Sequence, residues 1–141
     1  MDKLVIDASV AIKWFVVEPH TNEARRLLDS FQSGEPIFLA PDILVAEFAN
    51  TIWKKQLFQG LTESDAKDIL KAFQSLNLSI TPAGSLIDTA YDLATKHRRS
   101  FYDALYLALS AAEDLSASHS RRKICECSFG FWFEGRMDCE L

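Results

Sequence analysis

The chain has 141 residues, a size that fits one domain able to bury its own core without disulfide or metal staples. Apolar residues make up 48% and charged residues 25%, which excludes a disordered chain, and no apolar run approaches the roughly 18 residues that a membrane-spanning helix needs. A formal net charge of −5 argues against a general electrostatic grip on nucleic acid, although a carboxylate cluster built to hold a metal would add negative charge of its own.

Leu4-Val5-Ile6 is a short, β-branched apolar run that predicts a buried strand, and Asp7-Ala-Ser9 behind it can cap a helix over Val10 to Val17. Glu18-Pro19 halts that helix. From about His20 to Phe31, Ala24, Leu27, Leu28 and Phe31 recur at helical spacing, and Gly34 ends the segment. Ile37-Phe38-Leu39 reads as a second buried strand. Pro41-Asp42 then opens a long helix from Ile43 to Leu57, with Val45, Phe48, Ala49 and Ile52 as its expected apolar face and Gly60 beyond its end.

Thr62-Glu63-Ser64-Asp65 starts a further helix whose stripe is Ala66, Ile69, Leu70 and Phe73. Leu78-Ser-Ile80 predicts a strand, and a helix follows over about Ser85 to Lys96. The last clear helix begins near Tyr102 and is apolar on most sides, which marks a helix enclosed by protein. Short apolar strands alternating with helices predict an α/β fold with a parallel sheet covered by helices. No basic and apolar leader is visible at Met1, so a cytoplasmic address is expected. The three cysteines, Cys125, Cys127 and Cys139, are an odd number and all late in the chain, weak material for a disulfide framework.

Ligands of open parallel sheets collect beyond the carboxyl ends of the strands, which is where Asp7 stands. Equally, Asp7 or Ser9 can simply accept the unpaired N–H groups of the next helix. Glu47 lines up with Asn50 and Lys54 beside the apolar face, a position that usually means a solvated seam. Asp103 lies in the first turn of the enclosed helix, where the helix dipole favours a carboxylate by about 0.3–1 kcal/mol. Its desolvation also asks for a partner, and a metal ion is one candidate. Asp42 and Asp65 read as caps, Asp88 and Asp92 as a solvated face.

Three blocks taken together are more specific than any of these positions. Val5-Ile-Asp-Ala-Ser-Val-Ala-Ile-Lys-Trp14, Pro41-Asp-Ile-Leu-Val-Ala-Glu-Phe-Ala-Asn50 and Phe101-Tyr-Asp-Ala-Leu-Tyr-Leu-Ala-Leu-Ser110 resemble the PIN-domain ribonucleases, most of all the VapC-type toxins of toxin–antitoxin pairs. The resemblance runs from residue 1 to about 115. It implies a PIN-like three-layer α/β/α fold with a central parallel sheet, and Asp7, Glu47 and Asp103 as the catalytic, metal-binding acids. It further implies Ser9 and Asn50 as hydrogen-bonding supports, Mg²⁺ or Mn²⁺ as cofactor, an RNA substrate, a homodimer and a small VapB-like antitoxin as partner. Hard carboxylate oxygens suit these ions and leave positions for water and phosphate. Basic residues expected to hold RNA are Lys13, Lys54, Arg98 or Arg99, each of which also reads as a solvated surface charge.

The resemblance fails in the tail. The family has a further apolar strand ending in a fourth acid, whereas Ser116-Ala-Ser-His-Ser-Arg-Arg-Lys123 has neither. Moving the reading frame by one nucleotide within Ala117 can, with permitted codons, give Pro-Val-Ile-Val-Ala-Glu-Lys-Phe-Val-Asn-Ala-Leu, an apolar strand with an acid behind it. Residues 116–141 are therefore expected to be a frame-shifted tail. Read as native, the tail leaves a PIN-fold protein that binds its antitoxin but cuts RNA poorly or not at all, and Cys125-x-Cys127 with His119 and Cys139 becomes a conceivable zinc set.

Overall fold

The computed structural model describes residues 3–34, 37–116 and 122–125. Four parallel strands form one sheet in the order β3-β2-β1-β4, with β1 at Lys3–Ile6, β2 at Ile37–Pro41, β3 at Ser79–Thr81 and β4 at Arg122–Cys125. Lys3 pairs with Ile37 on one side of β1 and with Arg122 on the other, and Leu39 pairs with Ser79. The helices are α1 at Ala8–Lys13, α2 at Thr21–Gln32, α3 at Ile43–Phe58, α4 at Glu63–Gln74, α5 at Ile87–His97 and α6 at Phe101–Ser116. A single 3₁₀ turn at Ala83–Ser85 leads into α5.

Period-two alternation on the two central strands makes three layers. Leu4, Ile6, Phe38 and Ala40 point to one face, where they meet Val10, Ile12, Leu27, Leu44, Phe48 and Ile52 from α1, α2 and α3. Val5 and Leu39 point to the other, against Leu86, Ala90 and the buried run of α6 from Ala104 to Leu109. Both faces of β1 and β2 are covered, so these strands are apolar throughout rather than alternating, as parallel strands between helices are. Phe38 is sandwiched between Phe31 (ring centroids 4.5 Å apart) and Trp14 (5.4 Å), and Phe48 stacks on Phe73 at 3.9 Å.

Gly34 (φ +104°) and Gly60 (φ +76°) take the left-handed conformation just past α2 and α3 that their positions predict. Other local expectations shift. The buried stripe of α3 is Leu44, Phe48 and Ile52, while Val45 is 46% exposed. A pure four-residue row faces α1 and the sheet, which turns Val45 outward. Asp42 does not cap its own helix; its Oδ1 accepts the Ala83 N–H at 3.0 Å and ties β2 to the turn after β3. Thr62, not Asp65, caps α4, with its Oγ accepting the Asp65 N–H at 3.1 Å. The strand β4 lies in the tail, where polar and basic sequence gives no strand signal.

Candidate active site

Because the sheet is parallel, β1 and β2 deliver the chain to the same edge, and α1 and α3 start there. Asp7 is the first residue beyond β1 and the N-cap of α1. Its Oδ1 accepts the Val10 N–H at 3.1 Å and the Ser9 hydroxyl at 2.6 Å. The capping reading of Asp7 is thus met, and the same carboxylate stands at the carboxyl end of β1. Burial pushes the Asp7 carboxyl above its ordinary value, against the lowering effects of Ser9, the Val10 N–H and the nearby Lys13 ammonium.

Glu47, one turn into α3, is half-buried, and its Oε1 accepts the Tyr106 hydroxyl at 2.9 Å from the second turn of α6. Burial raises its pKa; the Tyr106 hydrogen bond opposes this, and the charges of Asp7 and Asp103 raise it further. Glu47 thus senses both other acids. Asp103 sits in the first turn of α6, its N–H donating to Ser100 Oγ at 3.1 Å, so Ser100 caps the helix and leaves the Asp103 carboxylate for the site.

One pocket of ≈ 330 Å³ is lined by Asp7, Ser9, Glu47 and Asp103 together with Lys13, Glu18, Thr51 and Tyr106. Residues 7, 47 and 103 come from three elements far apart in the chain, and the fold brings them to one cavity. Ser9 donates its hydroxyl to Asp7 within this cavity. Asn50 is exposed on α3 and is not among the lining residues; Thr51, next to it, is, and its Oγ donates to the Glu47 carbonyl at 2.9 Å. Of the four basic residues expected near RNA, Lys13 lines the pocket, while Lys54 and Arg98 lie on the exposed surface.

Tyr106, Thr51 and Glu18 also line the pocket, and sequence reasoning missed them. Tyr106 carried a signal: it falls three residues after Asp103 on a helix otherwise filled with Leu and Ala, and a buried phenol wants a hydrogen-bond partner. Glu18 gave none, because it precedes Pro19 in what reads as a turn.

Chemically, three carboxylates facing one cavity repel one another and must be protonated, separated or neutralised by a cation. Among the described residues, no three Asp, Glu, His or Cys side chains stand close enough to hold one ion as they are. The donor set nonetheless fits a hard divalent cation that keeps part of its shell as water. The cysteines and His119 of the alternative zinc set lie outside the described residues, apart from the backbone of Cys125.

The PIN domain family matches residues 4–120 of the chain. Ribonuclease VapC3 of Pyrobaculum aerophilum is 30% identical over 110 residues, covering 77% of this chain and 81% of that protein. In the crystal structure of VapC20 from Mycobacterium tuberculosis, described as a sarcin–ricin loop cleaving toxin, a similar fold recurs with a TM-score of 0.59 at 15% identity. That match covers 78% of this chain and 82% of the other.

Proposed function

The chain belongs to the PIN-domain family, and from that premise we propose that it is a Mg²⁺- or Mn²⁺-dependent endoribonuclease, the toxin of a VapBC-type pair. The observation that carries this reading is the convergence of Asp7, Glu47 and Asp103 on one pocket at the carboxyl edge of the sheet. The relationship to Ribonuclease VapC3 supports RNA as the substrate.

Bound between these acids, a divalent ion would supply positive charge at the scissile phosphate and a more acidic water. The protein's own contribution is positional. Ser9 and the Val10 N–H hold Asp7 Oδ1 in place, so the other carboxylate oxygen is the one left to the cavity. The Tyr106 hydroxyl fixes one oxygen of Glu47 in the same way and opposes its protonation. Ser100 takes the Asp103 N–H and thereby sets the first turn of α6 facing the pocket.

Partners follow from the family relation: a small VapB-like antitoxin and a second copy of the chain. Trp53, Leu57 and Phe58, 54%, 55% and 75% exposed near the end of α3, are apolar surface for such a partner to cover. No helix among the described residues is long and apolar enough to cross a membrane; a cytoplasmic address is proposed from the relation to Ribonuclease VapC3. Residues 116–141 are proposed to be a frame-shifted replacement of the family's last strands, and the nucleotide sequence of the gene decides this: absence of a one-nucleotide shift that restores a strand and an acid refutes it.

A second reading is favoured by the lack of any carboxylate between Ser116 and Lys123, where the family places its fourth acid: a PIN-fold protein that binds antitoxin without cutting RNA. Incubation of the purified chain with RNA and Mn²⁺ separates the two. The ribonuclease reading expects cleavage that EDTA stops and that Asp7→Asn abolishes. Antitoxin binding with no Mn²⁺-dependent cleavage establishes the silent partner instead.

A further inference from the structure

Among the described residues, the wall of the pocket carries one cation and four acids: Lys13 faces a cavity also lined by Asp7, Glu18, Glu47 and Asp103. Lys13 is the last residue of α1 and only 7% exposed, an unusual setting for an ammonium. Its Nζ donates to the Ser9 carbonyl at 3.1 Å and stands 3.5 Å from Glu18 Oε2. The other oxygen of Glu18 receives Lys55 Nζ at 2.7 Å. The charge of Glu18 is therefore met chiefly by Lys55, since a charge-assisted bond at 2.7 Å is strong and a contact at 3.5 Å is at the outer limit. Glu18 is itself fixed: its N–H donates to Thr21 Oγ at 2.8 Å, and Thr21 Oγ donates onward to the Val16 carbonyl at 3.2 Å. An ammonium has three donors, and this one makes one good hydrogen bond and one weak ion pair.

We propose that Lys13 is a substrate-binding residue whose ammonium takes a non-bridging phosphate oxygen of the RNA backbone, Lys55 meeting most of the charge of Glu18 so that Glu18 competes only weakly for Lys13. The inference rests on the ribonuclease reading above. It answers a physical difficulty of that reading, since an acidic chain with an acidic pocket repels a phosphodiester and needs a local anchor. The competing role for Lys13 is that of a counter-ion to Asp7 and Glu18, with no contact to RNA.

Fluorescence anisotropy of a labelled single-stranded RNA, with Ca²⁺ in place of Mg²⁺ to slow turnover, distinguishes them. Lys13→Gln keeps the carbon stem and a donor for the Ser9 carbonyl. It is expected to weaken RNA binding about tenfold and to lower the slope of log affinity against log salt by roughly 0.7, the share of one phosphate on a single strand. Glu18→Gln, which leaves Lys13 in place and releases it from Glu18, is expected to tighten RNA binding more than the same charge change at the surface residue Glu23→Gln. An unchanged salt slope in Lys13→Gln, with altered Mn²⁺ affinity, makes Lys13 a counter-ion and overturns the proposal. Equal effects of Glu18→Gln and Glu23→Gln overturn it as well, whether or not Lys13→Gln folds. Failure of the unaltered chain to bind RNA at all overturns the ribonuclease reading and this inference with it.

Discussion

Two acids of the same pocket are held in opposite ways. Asp7 is 8% exposed and fixed by its immediate neighbours, Ser9 and Val10, within three residues of chain. Glu47 is half-buried and fixed by Tyr106, 59 residues away on another helix. Asp7 therefore comes into position as soon as α1 forms on β1, whereas Glu47 is placed only when α3 and α6 have both packed. Local capping gives a rigid carboxylate, and tertiary packing gives one that depends on the whole fold. The two should respond differently when their supports are removed.

The largest effect is expected from the acids themselves. Asp7→Asn and Glu47→Gln should each reduce RNA cleavage by at least about a hundredfold, a loss of several kcal/mol of transition-state stabilisation. Neither should unfold the protein, because Asn and Gln can still accept the hydrogen bonds described. Retained cleavage in Glu47→Gln would break the comparison by removing Glu47 from the site.

Removing the supports comes next. Ser9→Ala and Tyr106→Phe should each weaken Mn²⁺ binding by roughly tenfold, the scale of a lost partner behind a ligand. They should differ in pH dependence. Tyr106→Phe removes the hydrogen bond that opposes protonation of Glu47, so its pKa moves further up and Mn²⁺ binding should recover as the pH is raised. Calorimetric titrations at several pH values check this. A deficit that stays constant with pH would mean that Tyr106 only shapes the pocket.

The smallest effects concern stability. Asp7→Ala loses the helix cap and should cost about 0.5–2 kcal/mol in denaturant unfolding, while Asp7→Asn should cost little. In the metal-free protein the folded pKa values of Asp7 and Glu47 are raised above 3.8 and 4.5. Their stabilising contribution is thus complete below those values and is lost as the pH rises through the raised ones. Glu18 has the opposite sign: burial alone would raise it, but Lys55 and Lys13 together hold it below 4.5, so its contribution is lost as the pH falls. Without metal, Asp7→Asn should then gain in Tm relative to the unaltered chain as the pH goes from about 4 toward neutral. Thermal scans with no such gain would show that Asp7 is not strained by its burial.

The same contrast explains what was legible in the sequence. Asp7 with Ser9 is a local pattern, and the helix cap it forms is legible from those residues alone. The two buried strands and six helices followed from apolar period and turn residues, as did the positive-φ Gly34 and Gly60. Glu47 on its own read as solvated, because a helical wheel records which side a residue is on but not that Tyr106 will meet it there. Only the three-block resemblance implies a site role for it. The expectation that Val45 is core fails for the same reason: α1 and the sheet decide which face of α3 is buried, through Leu44, Phe48 and Ile52. The strand β4 was illegible because pairing with β1 fixes it, and Arg122-Lys123 carries no strand pattern.

Anomalous diffraction from crystals soaked in Mn²⁺ tests the shared-cation site most directly. A peak in the pocket with carboxylate oxygens of Asp7, Glu47 and Asp103 around it is the predicted result. Density elsewhere, or none at millimolar Mn²⁺ with the three side chains turned to different partners, would contradict it.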